Sequence, residues 1–154
     1  MLGRRPNLPR RLEERKNQLA EFAVEVREHI LIAHSLPDPA FGRAEGIHGA
    51  TYIVDVTFFR DSLTDKNIVV NIGRAHEVLK AVLAPLNYRN LDEKPELAGQ
   101  LTTTEFLCKY IFDQLTEVIT DGMLGEDGKA LSRIRVMLQE SHVARASYEG
   151  AFPK

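Results

Sequence analysis

The 154-residue chain contains one cysteine, Cys108, and no tryptophan. A single thiol closes no disulfide within the chain, so the fold must rest on its core and hydrogen bonds, which fits a reducing, cytoplasmic setting. No apolar run approaches the roughly 18–20 residues of a membrane-spanning helix. Neither sign of charge dominates: 20 Lys and Arg stand against 22 Asp and Glu, a formal net charge of −2. That balance excludes a protein that grips nucleic acid through its overall charge. The start, MLGRRPNLPRR, is basic but lacks an apolar stretch, so it is not expected to act as a secretory signal. Repeats and low-complexity tracts are also missing. The length suits one domain with its own core, and we divide the chain into a basic arm over residues 1–18 and a single domain over 19–154.

Periodicity supplies the fold class. Phe22, Val24, Val26, Ile30 and Ile32 alternate with Glu25, Arg27 and His29, the pattern of a half-buried antiparallel strand ending at His34. Residues 35–47 are rich in Pro and Gly and read as a loop. Alternation resumes from His48 to Phe59, with His48, Tyr52, Val54, Val56 and Phe58 on one side, and residues 61–67 form a turn. Ala75, Val78, Leu79, Val82, Leu83 and Leu86 then follow helical spacing, closed by Pro85 and Asn87. Residues 87–101 are irregular. Thr102-Thr103-Thr104-Glu105 fits a capping box with Thr102 as the cap, opening a helix with a stripe of Leu107, Tyr110, Ile111, Leu115, Val118 and Ile119. A glycine-bearing turn over 121–129 precedes two short strands. The first sets Ile134, Val136, Leu138 and Glu140 on one face, and the second covers about 143–148. The order β-β-α-α-β-β predicts an α+β domain in which two helices pack on one face of a four-stranded antiparallel sheet. The two open sheet edges favour self-association.

Two histidines carry the strongest chemical signal. His34 ends the first strand and His48 opens the second. A catalytic zinc ordinarily takes three protein ligands and keeps a fourth position open. A strand-end His followed by His-x-His supplies such a set, because period-2 alternation puts both members of His-x-His on one face. Here the second member is Ala50. His29 lies at an odd offset from His34 and should face the other side of the sheet; His76 and His142 have no spacing that favours them. Glu45, in the loop three residues before His48, is a candidate oxygen ligand. Cys108 falls inside the second helix, where a buried, inert thiol is expected.

Taken together, these segments resemble the 6-pyruvoyltetrahydropterin synthase and 6-carboxytetrahydropterin synthase family, over about residues 22–150. Ile32-Ala33-His34-Ser35-Leu36 resembles the strand-end zinc motif, and His48-Gly49-Ala50-Thr51-Tyr52 resembles His-Gly-His-x-Tyr. Asn67-Ile68-Val69-Val70-Asn71-Ile72 is similar to the entry to the first helix, and Leu86-Asn87-Tyr88-Arg89-Asn90-Leu91-Asp92 has the spacing of Leu-Asp-His-x-x-Leu. Thr103-Thr104-Glu105 and Gln139-Glu140-Ser141 resemble the two pterin-contacting segments.

The resemblance implies the tunnelling fold, a dihydropterin-type ligand and a homo-oligomer, a hexamer of stacked trimeric rings with pockets between subunits. It implies that Glu140 clasps the guanidine-like edge of the ring as a buried carboxylate, in the bidentate pairing that makes such contacts strong and selective. Thr103 and Thr104 would complete ring recognition. Zinc would sit on His34 and His48, with its third family ligand replaced by Ala50. The family's cysteine base has no counterpart in the loop before His48, and its Asp-His dyad corresponds to Asn87-Tyr88. Glu45 matches a variant branch in which a loop Glu serves as base in cleaving the dihydroneopterin side chain. Three functions follow as expectations: a lyase acting on that side chain with Glu45 as catalytic base, a silent homologue that binds a pterin or purine-like ring, or a structural or regulatory oligomer without ligand.

Overall fold

A computed structural model describes residues 20–153; the basic arm assigned to 1–18 lies outside the described residues. Strands β1 (Phe22–His34) and β2 (His48–Arg60) form a long antiparallel hairpin in unbroken register, from Phe22 opposite Arg60 to His34 opposite His48. Even-numbered residues therefore meet even-numbered residues, and one face of the hairpin collects Val26, Ile30, Ile32, Tyr52, Val54, Val56 and Phe58, all buried. β4 (Arg133–Ser141) pairs antiparallel with β2 and adds Ile134, Val136 and Leu138 to that face. β5 (Ala144–Ala151) completes this side of the sheet.

Two helices cover the apolar face. In α1 (Ile72–Leu83), Ala75, Val78, Leu79 and Leu83 face the sheet. The Asn71 side chain caps it by accepting from the Arg74 amide at 2.9 Å, and Pro85, which has no N–H to donate, stands just beyond its end. In α2 (Thr104–Thr120), Leu107, Cys108, Ile111, Leu115 and Ile119 form the buried stripe. It stops at Gly122, whose φ of 99° belongs to the left-handed region that a side chain would resist, and the Gly122 amide returns to the Ile119 carbonyl at 3.0 Å. The expected α+β architecture is thus found, with both helices on one face.

Several local features differ from the sequence expectation. A two-residue strand, β3 (Arg89–Asn90), adds a fifth, parallel member at the β1 edge, giving the order β3-β1-β2-β4-β5. No alternation can announce so short a segment. It is created by Tyr88, at φ 57°, whose amide donates to the Leu31 carbonyl at 2.7 Å, while the Asn87 side chain accepts from the Leu31 amide at 3.0 Å. β5 extends to Ala151, because Gly150 and Ala151 still pair with Ile134 and Arg133. The cap of α2 is Thr103, with Oγ1 3.2 Å from the Phe106 amide, and Thr102 lies one residue outside it.

Candidate functional site

The hairpin register brings the two histidines together. His34 and His48 lie directly opposite, with ring centroids 4.6 Å apart and planes tilted by 59°. His34 is 1% exposed. Its Nδ1 is 2.9 Å from Thr102 Oγ1. A hydroxyl can accept from or donate to that nitrogen, so Thr102 admits either tautomer; Nε2 is buried with no hydrogen-bond partner. His48 Nδ1 is 2.8 Å from the Gly46 carbonyl, which can only accept, so there Nδ1 carries the proton and Nε2 the lone pair. Burial, then the neighbouring His48, pushes the His34 pKa below the usual histidine value, against the pull of Asp92 and Glu140. Asp92 clamps the chain just after His34, its two oxygens accepting from the Ser35 amide at 3.1 Å and the Ser35 hydroxyl at 2.6 Å.

Outer partners on Nδ1 that leave Nε2 free are the usual dressing of metal-ligating histidines. The set is nevertheless short by one. Ala50 faces the same side of β2 as His48, opposite Ile32 and next to His34, and its methyl has no lone pair. Among the described residues no group of three or more His, Cys, Asp or Glu is placed to hold a metal ion. A three-ligand catalytic zinc does not fit these residues. His29 is exposed on the other sheet face, His76 sits on α1 with Nδ1 3.8 Å from Glu28, and His142 is exposed between β4 and β5.

Tyr52, two positions beyond Ala50 on the same face, is fully buried, and its hydroxyl has no hydrogen-bond partner; burial raises its pKa. Thr104 lies beside this phenol and donates to Glu140 Oε2 at 3.2 Å. Glu140 itself is exposed in the single chain, contrary to the buried carboxylate expected, because the β4–β5 register breaks between Gln139 and Ser141 where β4 leaves the core. The structure thus gathers His34, His48, Ala50, Tyr52, Thr104 and Glu140 at one end of the sheet. Thr103 is adjacent, with its hydroxyl committed to the cap. Glu45 is exposed at the end of the short 3₁₀ helix Pro39–Glu45, and no hydrogen bond or ion pair joins it to either histidine among the described residues.

Thr102 is the residue that sequence reasoning assigned to the wrong task. Three consecutive threonines offer three registers for the cap, and only the fold shows that Thr102, 2% exposed, spends its hydroxyl on His34. Thr102→Val keeps the shape and strands part of a buried imidazole, so a loss of about 1–3 kcal/mol is expected in urea unfolding. Unchanged stability would mean that this bond does not form in solution.

Asn87 and Tyr88, set by resemblance against an Asp-His dyad, have other surroundings here. Asn87 holds the Leu31 amide, and Tyr88 is 73% exposed. Cys108 is fully buried and its thiol is pushed up to about 11, chiefly by burial. It should resist iodoacetamide at pH 8 in the native protein and react once unfolded; rapid native alkylation would contradict this placement. A cleft of about 600 Å³ opens at the far end of β2 among Thr64, Lys66, Asn71, Arg74 and Asp127. It mixes cations with carboxylates and contains none of the candidate site residues His34, Glu45, His48, Thr103, Thr104 and Glu140.

Comparison with known proteins places these features in a lineage. The chain is 35% identical over 83 residues to the 6-pyruvoyl tetrahydrobiopterin synthase of Dictyostelium discoideum, a match covering 53% of this chain and 62% of that protein. It is 30% identical over 91 residues to the 6-carboxy-5,6,7,8-tetrahydropterin synthase of Bacillus subtilis, covering 56% and 60% respectively. The aligned parts thus span less than two thirds of these relatives. In fold, it is similar to the 6-pyruvoyl tetrahydropterin synthases of Caenorhabditis elegans (TM-score 0.71, 18% identity, 85% of this chain and 96% of that one) and Plasmodium falciparum (TM-score 0.68, 19% identity, 86% and 99%). The family model described as 6-pyruvoyl tetrahydropterin synthase matches residues 23–151, and the chain belongs to that family.

Proposed function

We propose that this protein binds a dihydropterin-type ring at the sheet end, with Glu140 accepting from the donor edge of the ring and Thr103 and Thr104 beside it. One observation carries the reading: polar groups that lack partners converge there. The buried His34 Nε2 and Tyr52 hydroxyl have none, and Glu140 is engaged through only one oxygen among the described residues. Buried polar atoms without partners are costly, and a polar ligand would relieve that cost. Relatives named for tetrahydropterin products support the choice of ring. Assembly as a homo-oligomer, the family's hexamer, belongs to the same reading, since β5 forms an exposed sheet edge. No described helix is long and apolar enough to cross a membrane.

A second reading adds turnover. Glu45 stands where the loop returns to His48, and as a base it would serve a lyase acting on the side chain of dihydroneopterin or its triphosphate. No step is routed through zinc, since the three-ligand set is incomplete. Incubation with both substrates, followed by product analysis, separates the readings. Saturable binding without product supports the binder; product that disappears in Glu45→Gln supports the lyase. Absence of binding to either compound rejects both.

A further inference from the structure

The two imidazoles present a specific chemical demand. His48 Nδ1 donates to the Gly46 carbonyl at 2.8 Å, which leaves its Nε2 a lone pair, and a His34 Nδ1 that donates to Thr102 Oγ1 across 2.9 Å leaves its Nε2 one as well. The rings are neighbours, and His34 Nε2 is sealed from solvent without a partner. Two adjacent lone pairs call for an electrophile. A cation would answer the demand, but Ala50 removes the third protein ligand, and no described His, Cys, Asp or Glu completes the set. The remaining answer is a ligand that carries hydrogen-bond donors.

We infer that His34 Nε2 and His48 Nε2 accept hydrogen bonds directly from adjacent hydroxyl groups on the side chain of the bound pterin, with no metal between them. This rests on the ring being held at Glu140, which sets the side chain toward the histidines. It specifies the ligand class: a pterin with a polyhydroxylated side chain. It also specifies what the site rejects. A carboxylate in the same place would set acceptor against acceptor and leave both lone pairs unpaired, a penalty like that of any buried polar mismatch. A metal centre would do the reverse and favour the carboxylate oxygen.

Three probes with the same ring test the inference: pterin, neopterin and 6-carboxypterin. Each is titrated against the full chain after chelator treatment, with and without added zinc, by fluorescence or calorimetry. Neopterin is expected to bind roughly 10- to 100-fold more tightly than pterin, the worth of two such hydrogen bonds, and 6-carboxypterin most weakly. Zinc should not alter the order. His48→Ala, at a partly exposed strand start, should compress the neopterin-to-pterin ratio toward one. Equal affinities for neopterin and pterin, tightest binding of 6-carboxypterin, or a preference that appears only with zinc would each overturn the inference while leaving ring binding intact. Failure of all three probes to bind would overturn the ring-binding reading itself, and this inference with it.

Discussion

Replacing Glu140 by Gln is expected to weaken pterin binding on the order of 100-fold, with little change in stability. The carboxylate is exposed, and its side-chain hydrogen bond among the described residues is the 3.2 Å bond from Thr104, which a carboxamide oxygen can also accept. Folding therefore loses little. Binding loses more, because an ionised acceptor facing two ring donors becomes a neutral group that turns an N–H₂ toward one of them. Charge-assisted bonds are about twice as strong as neutral ones, and a donor facing a donor adds a penalty of its own. Thr104→Val, which removes the bond that orients Glu140, should have a smaller effect in the same direction. Equal affinity in wild type and Glu140→Gln, measured by direct titration, would remove Glu140 from the site.

The second large effect concerns metal. Ala50→His should convert a protein that retains little zinc after dialysis into one that holds close to one zinc per chain. The substituted side chain would share the face of β2 with His48 and lie next to His34 across the hairpin, so three imidazoles would converge. Outer-shell changes alone shift metal affinity about 10- to 100-fold, and a complete additional ligand should gain at least about 100-fold. The Nδ1 partners that orient such a set are already present on Thr102 and Gly46. Metal analysis after equilibrium dialysis reads the outcome. Wild type with stoichiometric zinc would show that another donor completes the set, and Ala50→His without zinc would show that the two rings are not arranged as a ligand pair.

Much of this site was legible because strands write their geometry in period two. The strand-end positions of His34 and His48 sufficed to bring the two rings together, and parity set Ala50 and Tyr52 on the face of His48. The same parity excluded His29. Glu140 was legible as the last even-numbered residue of its strand, although its exposure was not, since that depends on where the β4–β5 pairing slips. Thr102 escaped because a run of threonines carries no mark of which hydroxyl turns inward. β3 escaped because two residues show no period, and its existence depends on the left-handed backbone of Tyr88, a conformation that a tyrosine gives no reason to expect. Glu45 was singled out as a possible oxygen ligand and by resemblance to the loop base of a variant branch; it ends a solvent-exposed turn of 3₁₀ helix, and among the described residues no hydrogen bond or ion pair joins it to either histidine. Features set by alternation were readable, whereas features set by one hydrogen bond or one backbone angle were not.

A crystal structure of the protein with neopterin tests the central claim most directly. We predict the donor edge of the ring on the Glu140 carboxylate and the side-chain hydroxyls within hydrogen-bonding distance of His34 and His48. Neopterin lodged instead in the cleft beside Asn71 and Arg74, or a ring bound away from Glu140, would contradict it.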